Sequence, residues 1–176
     1  KASAFNPKII DRKNNQYFKR RSVLMPRSEW MSRKYPKVDS EVSVLHGSAI
    51  FMKKENFYKL NGFDEKIFLY HDDDDISIRL KKEIGPLMYI NNSEMIHLAG
   101  RSSSRDKEIA SIKGYHMGRS RVCMQGKHKI SGYKFKNIIF AIFQLFSLEM
   151  IFSPRKRTKY LYFAKGVFEE IFMQKN

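Results

Sequence analysis

The sequence predicts an α/β fold followed by a helical extension, and three observations carry that expectation. Segments 42–52 and 87–97 are apolar and have the length and composition of strands. Between them lie two stretches with helical spacing, 54–60 and 74–83. Beyond residue 106 the patterning is helical almost to the end. Strands alternating with helices point to a sheet covered by helices.

The elements follow in order. Residues 1–40 are polar and basic, and Pro7, Pro26 and Pro36 interrupt them, so they read as loop and short strand. Val42 to Met52 reads as one largely buried strand, in which Gly47 allows close backbone approach. Lys54 to Leu60 reads as a short helix with Phe57 and Leu60 inward, stopped by Asn61-Gly62. Asp74 or Asp75 is expected to cap a helix to about Glu83, with Ile76, Leu80 and Ile84 on one stripe and Gly85-Pro86 beyond it. Leu87–Asn91 and Glu94–His97 read as a broken strand, and about Lys107 to Gln125 as a helix. Asn137 to Phe152 is the most apolar stretch. It is short for a membrane span, which needs about 20 apolar residues, and suits a helix buried in protein or lying in a membrane interface. A last amphipathic helix is expected from Pro154 to about Met173.

Composition narrows the function classes. Of 176 residues, 42% are hydrophobic and 14% aromatic, which excludes a disordered chain. The formal net charge is +16, but it is unevenly spread. Residues 1–60 carry 14 basic and 5 acidic side chains and residues 101–176 carry 16 and 5, whereas residues 61–100 carry 4 and 8. A basic protein with one acidic segment suits an anionic partner that arrives with a divalent metal. A nucleic-acid-binding module is disfavoured: no helix-turn-helix, RNP-type or zinc pattern is present, and the central acidic patch is wrong for a phosphate backbone. Cys123 is the sole cysteine, so an intrachain disulfide and a Cys-rich zinc site are excluded and a reducing compartment is expected. The chain starts at Lys1 with no charged-then-apolar leader and reads as an excised or processed piece.

The acidic segment is the most informative stretch. It runs Gly62-Phe63-Asp64-Glu65, then Phe68-Leu69-Tyr70-His71, then Asp72-Asp73-Asp74-Asp75-Ile76 with Arg79-Leu80. Four adjacent carboxylates repel one another unless a cation, a helix N-terminus or a catalytic role compensates. A calcium loop would need alternating spacing, which is absent. On residue types alone, helix capping with solvated carboxylates competes with a catalytic site.

Together with His97 and Ser102, these pieces resemble the C-terminal half of family-2 inverting glycosyltransferases with the GT-A fold, the rhamnosyltransferase-like bacterial members above all. The resemblance covers about residues 5–105 well and the C-terminal helices loosely. Two departures stand out: Asn61 replaces the first Gly of the family's GGFDE, and Asp72 replaces the Glu before its catalytic Asp.

The resemblance implies a fold and a division of the chain. Residues 1–106 would form the acceptor-side, catalytic half of a GT-A domain, the distal part of a mixed sheet with flanking helices. Residues 107–176 would form a helical, basic and apolar extension. The nucleotide-binding half with its Asp-x-Asp would be absent, so this stretch alone would lack most of the donor site.

The same resemblance implies roles. Asp73 would be the base, Asp72 would orient the acceptor, and His97 would be a ligand of Mg2+ or Mn2+. Gly62, Arg101, Ser102, Ser103 and Arg105 would lie along the donor, while Trp30 would stack on an acceptor sugar. Each has a plainer reading: helix stop for Gly62, packing for Trp30, solvated surface for the 101–105 loop, and a hydrogen-bonded structural histidine for His97. The partners implied are a nucleotide-diphosphate sugar and a glycan or lipid-linked acceptor in cell-surface polysaccharide synthesis. The location implied is the cytoplasm, or the inner face of the plasma membrane if the C-terminal region lies on anionic lipid. Against this stands a non-catalytic membrane-peripheral or interaction fragment. Oligomeric state is left open.

Overall fold

The computed structural model describes residues 1–98, 104 and 106–173. The chain divides into two compact units, one of residues 1–64 with 72–101 and one of residues 65–71 with 102–176.

The first unit is built on a curled mixed sheet. Its strands are β1 (Ala4–Ile10), β2 (Gln16–Tyr17), β3 (Ser40–Val42), β4 (Phe51–Met52) and β5 (Leu87–Ile96). β1 and β5 run parallel from Ala4↔Leu87 to Ile10↔Ile96. β3 pairs antiparallel with β5, while β2 and β4 pair antiparallel with the two ends of β1. The observed class is therefore α/β with a mixed sheet.

β1 corrects the expectation of loop for residues 1–40: it is an interior strand of the sheet. Pro7 concealed it, since proline lacks the N–H a central ladder needs. The ladder slips at that point, passing from Pro7↔Ile90 to Lys8↔Glu94, and Asp39 Oδ1 accepts the Asn91 N–H freed in the slip. The interruption expected in the 87–97 strand is this irregularity within one continuous strand.

The expected strand 42–52 is also corrected. Only Val42 and Phe51–Met52 of it are in the sheet, and residues 43–50 form a loop. Val44 and Leu45 are nonetheless buried in that loop, because its polar backbone is bonded to Asn6 and Ser77 side chains. Burial without a ladder is why an apolar run looked like strand.

Helix α1 (Lys54–Lys59) ends in a Schellman arrangement. Gly62 N donates to Phe57 O (3.0 Å) and Asn61 N to Tyr58 O (2.9 Å), with Asn61 at φ 56° and Gly62 at φ 70°. Asparagine is among the few residues that tolerate the left-handed region, so Asn61 holds the place of a glycine. Helix α2 (Asp72–Glu83) starts two residues before the expected cap, which puts all four aspartates in its first turn, where the helix dipole favours them. Ile76 and Leu80 pack with Ala4, Val42, Leu45, Leu60, Leu87 and Tyr89 in the core.

The second unit is helical: α3 (Lys107–Lys127), α4 (Tyr133–Leu145), α5 (Glu149–Phe152) and α6 (Pro154–Met173). α3 and α6 touch backbone to backbone. A Cβ on Gly114 or Gly118 would run into the Lys159 or Phe163 carbonyl, and one on Gly166 into that of Tyr115. α4 is tied to α3 by a buried polar network: Asn137 Oδ1 accepts from Arg121 Nε (2.6 Å), and Asn137 Nδ2 donates to Gln125 Oε1 (2.5 Å) and Tyr133 O (2.8 Å).

The single helix expected over 137–152 is two. The chain breaks at Phe146–Leu148, where Ser147 Oγ accepts the Glu149 N–H (3.3 Å). Around the break, Phe143, Phe146, Leu148, Ile151 and Phe152 are exposed, Phe146 by 82% and Phe152 by 81%. Among the described residues no helix is long and apolar enough to cross a membrane.

Candidate functional site

The site lies in the first unit, where β1 and β5 end side by side. β2 returns the chain there, bringing Tyr17 opposite Ile9 and then Phe18 and Lys19, while α2 presents Asp73 and Asp74. Tyr17, Phe18, Lys19, Arg20, Arg21, His46 and Asp73 line an open cleft of about 400 Å³.

Asp73 is held from four directions. Its Oδ2 accepts from Gly47 N (2.8 Å) and pairs with Lys19 Nζ (2.7 Å), and its Oδ1 accepts from Asp74 N (2.9 Å). Its carbonyl accepts from Ser77 Oγ (2.6 Å), and that oxygen in turn accepts from Leu45 N (3.0 Å). Gly47 is needed here for space, since a Cβ on it would lie 3.0 Å from both Cβ and Oδ2 of Asp73. The close approach expected at Gly47 is therefore onto this aspartate.

The loop bearing Gly47 is fixed by β1. Asn6 Nδ2 donates to the carbonyls of His46 (3.2 Å) and Ala49, and Asn6 Oδ1 accepts from His46 N (2.5 Å). A buried strand asparagine thus sets the height at which Gly47 meets Asp73.

The four aspartates have separate fates. Asp75 is fully buried and bonds Arg79 Nε (2.8 Å), while the Arg79 guanidinium also donates to Leu60 O (2.8 Å) and Gly62 O (2.8 Å). Arg79 thereby staples the turn after α1 to α2, and Asp75 aims the staple. Gly62 contributes its left-handed φ and its carbonyl to that turn. Asp74, 4% exposed, pairs with Lys19 Nζ (2.8 Å). Asp72 is part-exposed at the helix start, and its carboxylate makes no hydrogen bond or ion pair among the described residues.

No pattern in the sequence marks Lys19, yet it neutralises the repulsion expected between Asp73 and Asp74. Burial works against its charge, but the two carboxylates outweigh burial and raise its ammonium above the usual lysine range.

His97 follows β5, and its N–H continues the ladder to Ile10 O (2.7 Å). Its ring lies 5.8 Å from the rings of His46 and Tyr17, centroid to centroid, and His46 lies 6.4 Å from Tyr17. Successive residues His46 and Gly47 therefore touch His97 and Asp73 respectively. His46 Nδ1 accepts from Ser48 N (3.2 Å), with Ser48 Oγ at 2.8 Å, so the neutral ring carries its proton on Nε2. Burial pushes the His46 imidazole below the usual histidine range, with Lys19 and His97 adding to the effect and Asp73 opposing it. No signal in the sequence separates His46 from the other unassigned histidines, because its partners come from remote segments.

Trp30 is half-buried. Its Nε1 donates to Ser22 O (3.2 Å), and the Arg21 and Arg27 guanidiniums stand 5.4 Å and 5.7 Å from the ring. Arg101, Ser102, Ser103 and Arg105 lie outside the described residues. Among the described residues no three His, Cys, Asp or Glu side chains group as a metal centre would require. His97 with its described neighbours supplies no such group of three.

No protein-family model and no solved structure matches the chain. Two curated proteins do, the N-acetylglucosaminyl-diphospho-decaprenol L-rhamnosyltransferases of two strains of Mycobacterium tuberculosis. Each is 29% identical over 85 residues, covering 46% of this chain and 28% of the relative. The chain matches these relatives over less than a third of their length. The similarity supports a distant relationship to glycosyltransferases.

Proposed function

We propose that this chain carries the acceptor-activating part of an inverting glycosyltransferase, with Asp73 as the base. The observation that carries the reading is the way Asp73 is presented: ionised partner on one side, backbone N–H on the other, at the mouth of a cleft large enough for a sugar. The distant similarity to rhamnosyltransferases supports the coarser reading of a glycosyltransferase-type function.

In this reading an acceptor hydroxyl enters the cleft and hydrogen-bonds to the Asp73 carboxylate. As its oxygen attacks the anomeric carbon of a nucleotide-diphosphate sugar, its proton passes to Asp73. The bond to the diphosphate breaks on the opposite face, which inverts the configuration. Asp72 orients the acceptor, and Trp30 with its arginines borders the acceptor side. Gly62, Arg101, Ser102, Ser103 and Arg105 are assigned to the donor. His97 would give one ligand to a Mg2+ or Mn2+, which when bound would stabilise the leaving diphosphate.

The acceptor is taken to be a glycan on a lipid carrier. The exposed aromatic edge of α4 and α5, flanked by Lys134, Lys136, Arg155, Lys156 and Arg157, suits contact with an anionic membrane surface. The decisive experiment is sugar transfer by the complete protein from a panel of nucleotide sugars, before and after Asp73→Asn. A loss of at least about 100-fold in turnover is expected for removal of a general base. Transfer at the parent rate by Asp73→Asn would overturn the assignment.

A further inference from the structure

A buried asparagine in an interior strand is costly unless its polar atoms are bonded, and Asn6 of β1 is only 6% exposed. It lies on the same face of β1 as Ala4, which packs with Ile76 and Leu80 of α2 in the core. Pro7 behind it keeps its backbone extended. Its three side-chain bonds all go to the loop after β3. Nδ2 donates to the carbonyls of His46 (3.2 Å) and Ala49, and Oδ1 accepts from His46 N (2.5 Å). Satisfying a buried loop accounts for such bonds as far as stability goes. What the loop carries sets Asn6 apart.

On its other side the loop is held by Ser77 of α2, whose Oγ accepts from Leu45 N (3.0 Å) and donates to Asp73 O (2.6 Å). Between these two clamps stands Gly47, and its N–H reaches Asp73 Oδ2 at 2.8 Å. The other contact of Oδ2, Lys19, comes on a long stem and is shared with Asp74, so it fixes charge better than direction. Direction comes from two backbone donors, Gly47 N on Oδ2 and Asp74 N on Oδ1 (2.9 Å). A carboxylate has about two acceptor sites on each oxygen. Gly47 and Lys19 fill those of Oδ2, and Asp74 N takes one on Oδ1. The site left over, on Oδ1, is the one open to an acceptor's proton.

We infer that Asn6 is a positioning residue for Asp73: by fixing the His46–Ala49 turn it places the Gly47 N–H, which holds Oδ2 and leaves Oδ1 for the acceptor hydroxyl. Asn6 is not among the residues that line the cleft, so it acts through the loop. The inference rests on the reading of Asp73 as the base. A misplacement of about 1 Å that originates away from the reacting atoms can cost about 100-fold in rate. The bonds from Asn6 through the loop to Gly47 and the carboxylate are a route for it.

The complete protein is compared with Asn6→Ala, Asn6→Ser and Asn56→Ser. Asn6→Ser keeps one donor and serves where Asn6→Ala unfolds. Asn56 is the control: its Nδ2 also ties β1, donating to Ser3 O (2.7 Å), but from α1 and not through the loop. In the Asn6 variants kcat is expected to fall about ten- to 100-fold, with KM for nucleotide sugar and acceptor within about two-fold of the parent, as for a group that acts in the transition state alone. Asn56→Ser is expected to lose stability and keep the parent kcat. In protein carrying isotope-labelled glycine, the Gly47 amide resonance, identified by its loss in Gly47→Ala, should move upfield in Asn6→Ser as its bond to Asp73 weakens. A folded Asn6→Ser protein with the parent kcat, or with the Gly47 resonance unmoved, overturns the inference and leaves the base assignment standing. So does an equal fall of kcat in Asn56→Ser, which would mean that loosening β1 anywhere is enough. Asp73→Asn at the parent rate overturns the base and its positioning together.

Discussion

Lys19 Nζ lies between two carboxylates, 2.7 Å from Asp73 Oδ2 and 2.8 Å from Asp74 Oδ1, and so joins the segment after β2 to the first turn of α2. The side chains of all three residues are at most one-fifth exposed, so the charges are screened little by water.

Lys19→Met removes the ammonium that pairs with both Asp73 and Asp74. Stability at neutral pH is expected to drop by about 2–4 kcal/mol, in the range for breaking a buried pair from one side. Adding Asp74→Asn should restore part of it. Urea unfolding of the single and double variants measures both. The native pair also predicts an alkaline limit: the raised Lys19 contributes stability in full below the ordinary lysine value of 10.5, and loses it as pH climbs through its folded value.

His46 makes the opposite demand on pH. Its folded-state affinity for a proton is lowered, chiefly by burial, so its contribution is present above the ordinary value of 6.5 and is lost as pH falls below that. The urea midpoint should decline from pH 7 toward pH 5. His46→Gln should flatten that decline, and an unchanged slope would count against it.

Gly47→Ala places a methyl 3.0 Å from the Cβ and Oδ2 of Asp73. Either the loop or the aspartate must give by a few tenths of an ångström. Small-to-large changes of this kind cost about 1–3 kcal/mol, and catalysis is expected to suffer more than stability. Turnover and unfolding midpoint measured on one preparation would show the split.

Arg79→Lys keeps the charge but loses the fork that holds Leu60 O and Gly62 O together with Asp75. A loss of about 2–3 kcal/mol is expected from the unsatisfied carbonyls and the buried carboxylate. Thermal unfolding monitored by circular dichroism checks it.

Phe146→Ser with Phe152→Ser removes the two most exposed aromatics of the α4–α5 edge. Binding to vesicles rich in anionic lipid is expected to weaken at least about ten-fold, since each buried aromatic contributes roughly 1.5–3 kcal/mol. Co-sedimentation at low and high salt measures it; equal binding by parent and variant would refute a membrane role for this edge.

Much of the scaffold was legible because it rests on local signals. Asn61-Gly62 ended α1 through backbone angles, Gly85-Pro86 marked the end of α2, and Ile76 and Leu80 announced its buried stripe. Elements defined by distant partners were not legible. Pro7 hid β1, because the ladder irregularity that accommodates it lies in β5. Val44 and Leu45 passed for strand because side chains of Asn6 and Ser77 replace the ladder bonds. At the site, the aspartate run was conspicuous in composition. Its counter-ion Lys19, its neighbour His46 and its support Asn6 were hidden among ordinary polar residues, since nothing but folding brings them together. Asn137, at the start of the most apolar stretch, is the polar knot between α3 and α4.

The parallel pairing of β1 with β5 has a consequence for biogenesis. Ala4 finds its partner in Leu87, so this pairing must wait until more than eighty further residues have been synthesised. Closing so long a loop is entropically costly and slows folding. Until then β2 and β4 can pair with β1, but the edge that β5 will cover stays open, a natural client for a chaperone at the ribosome exit.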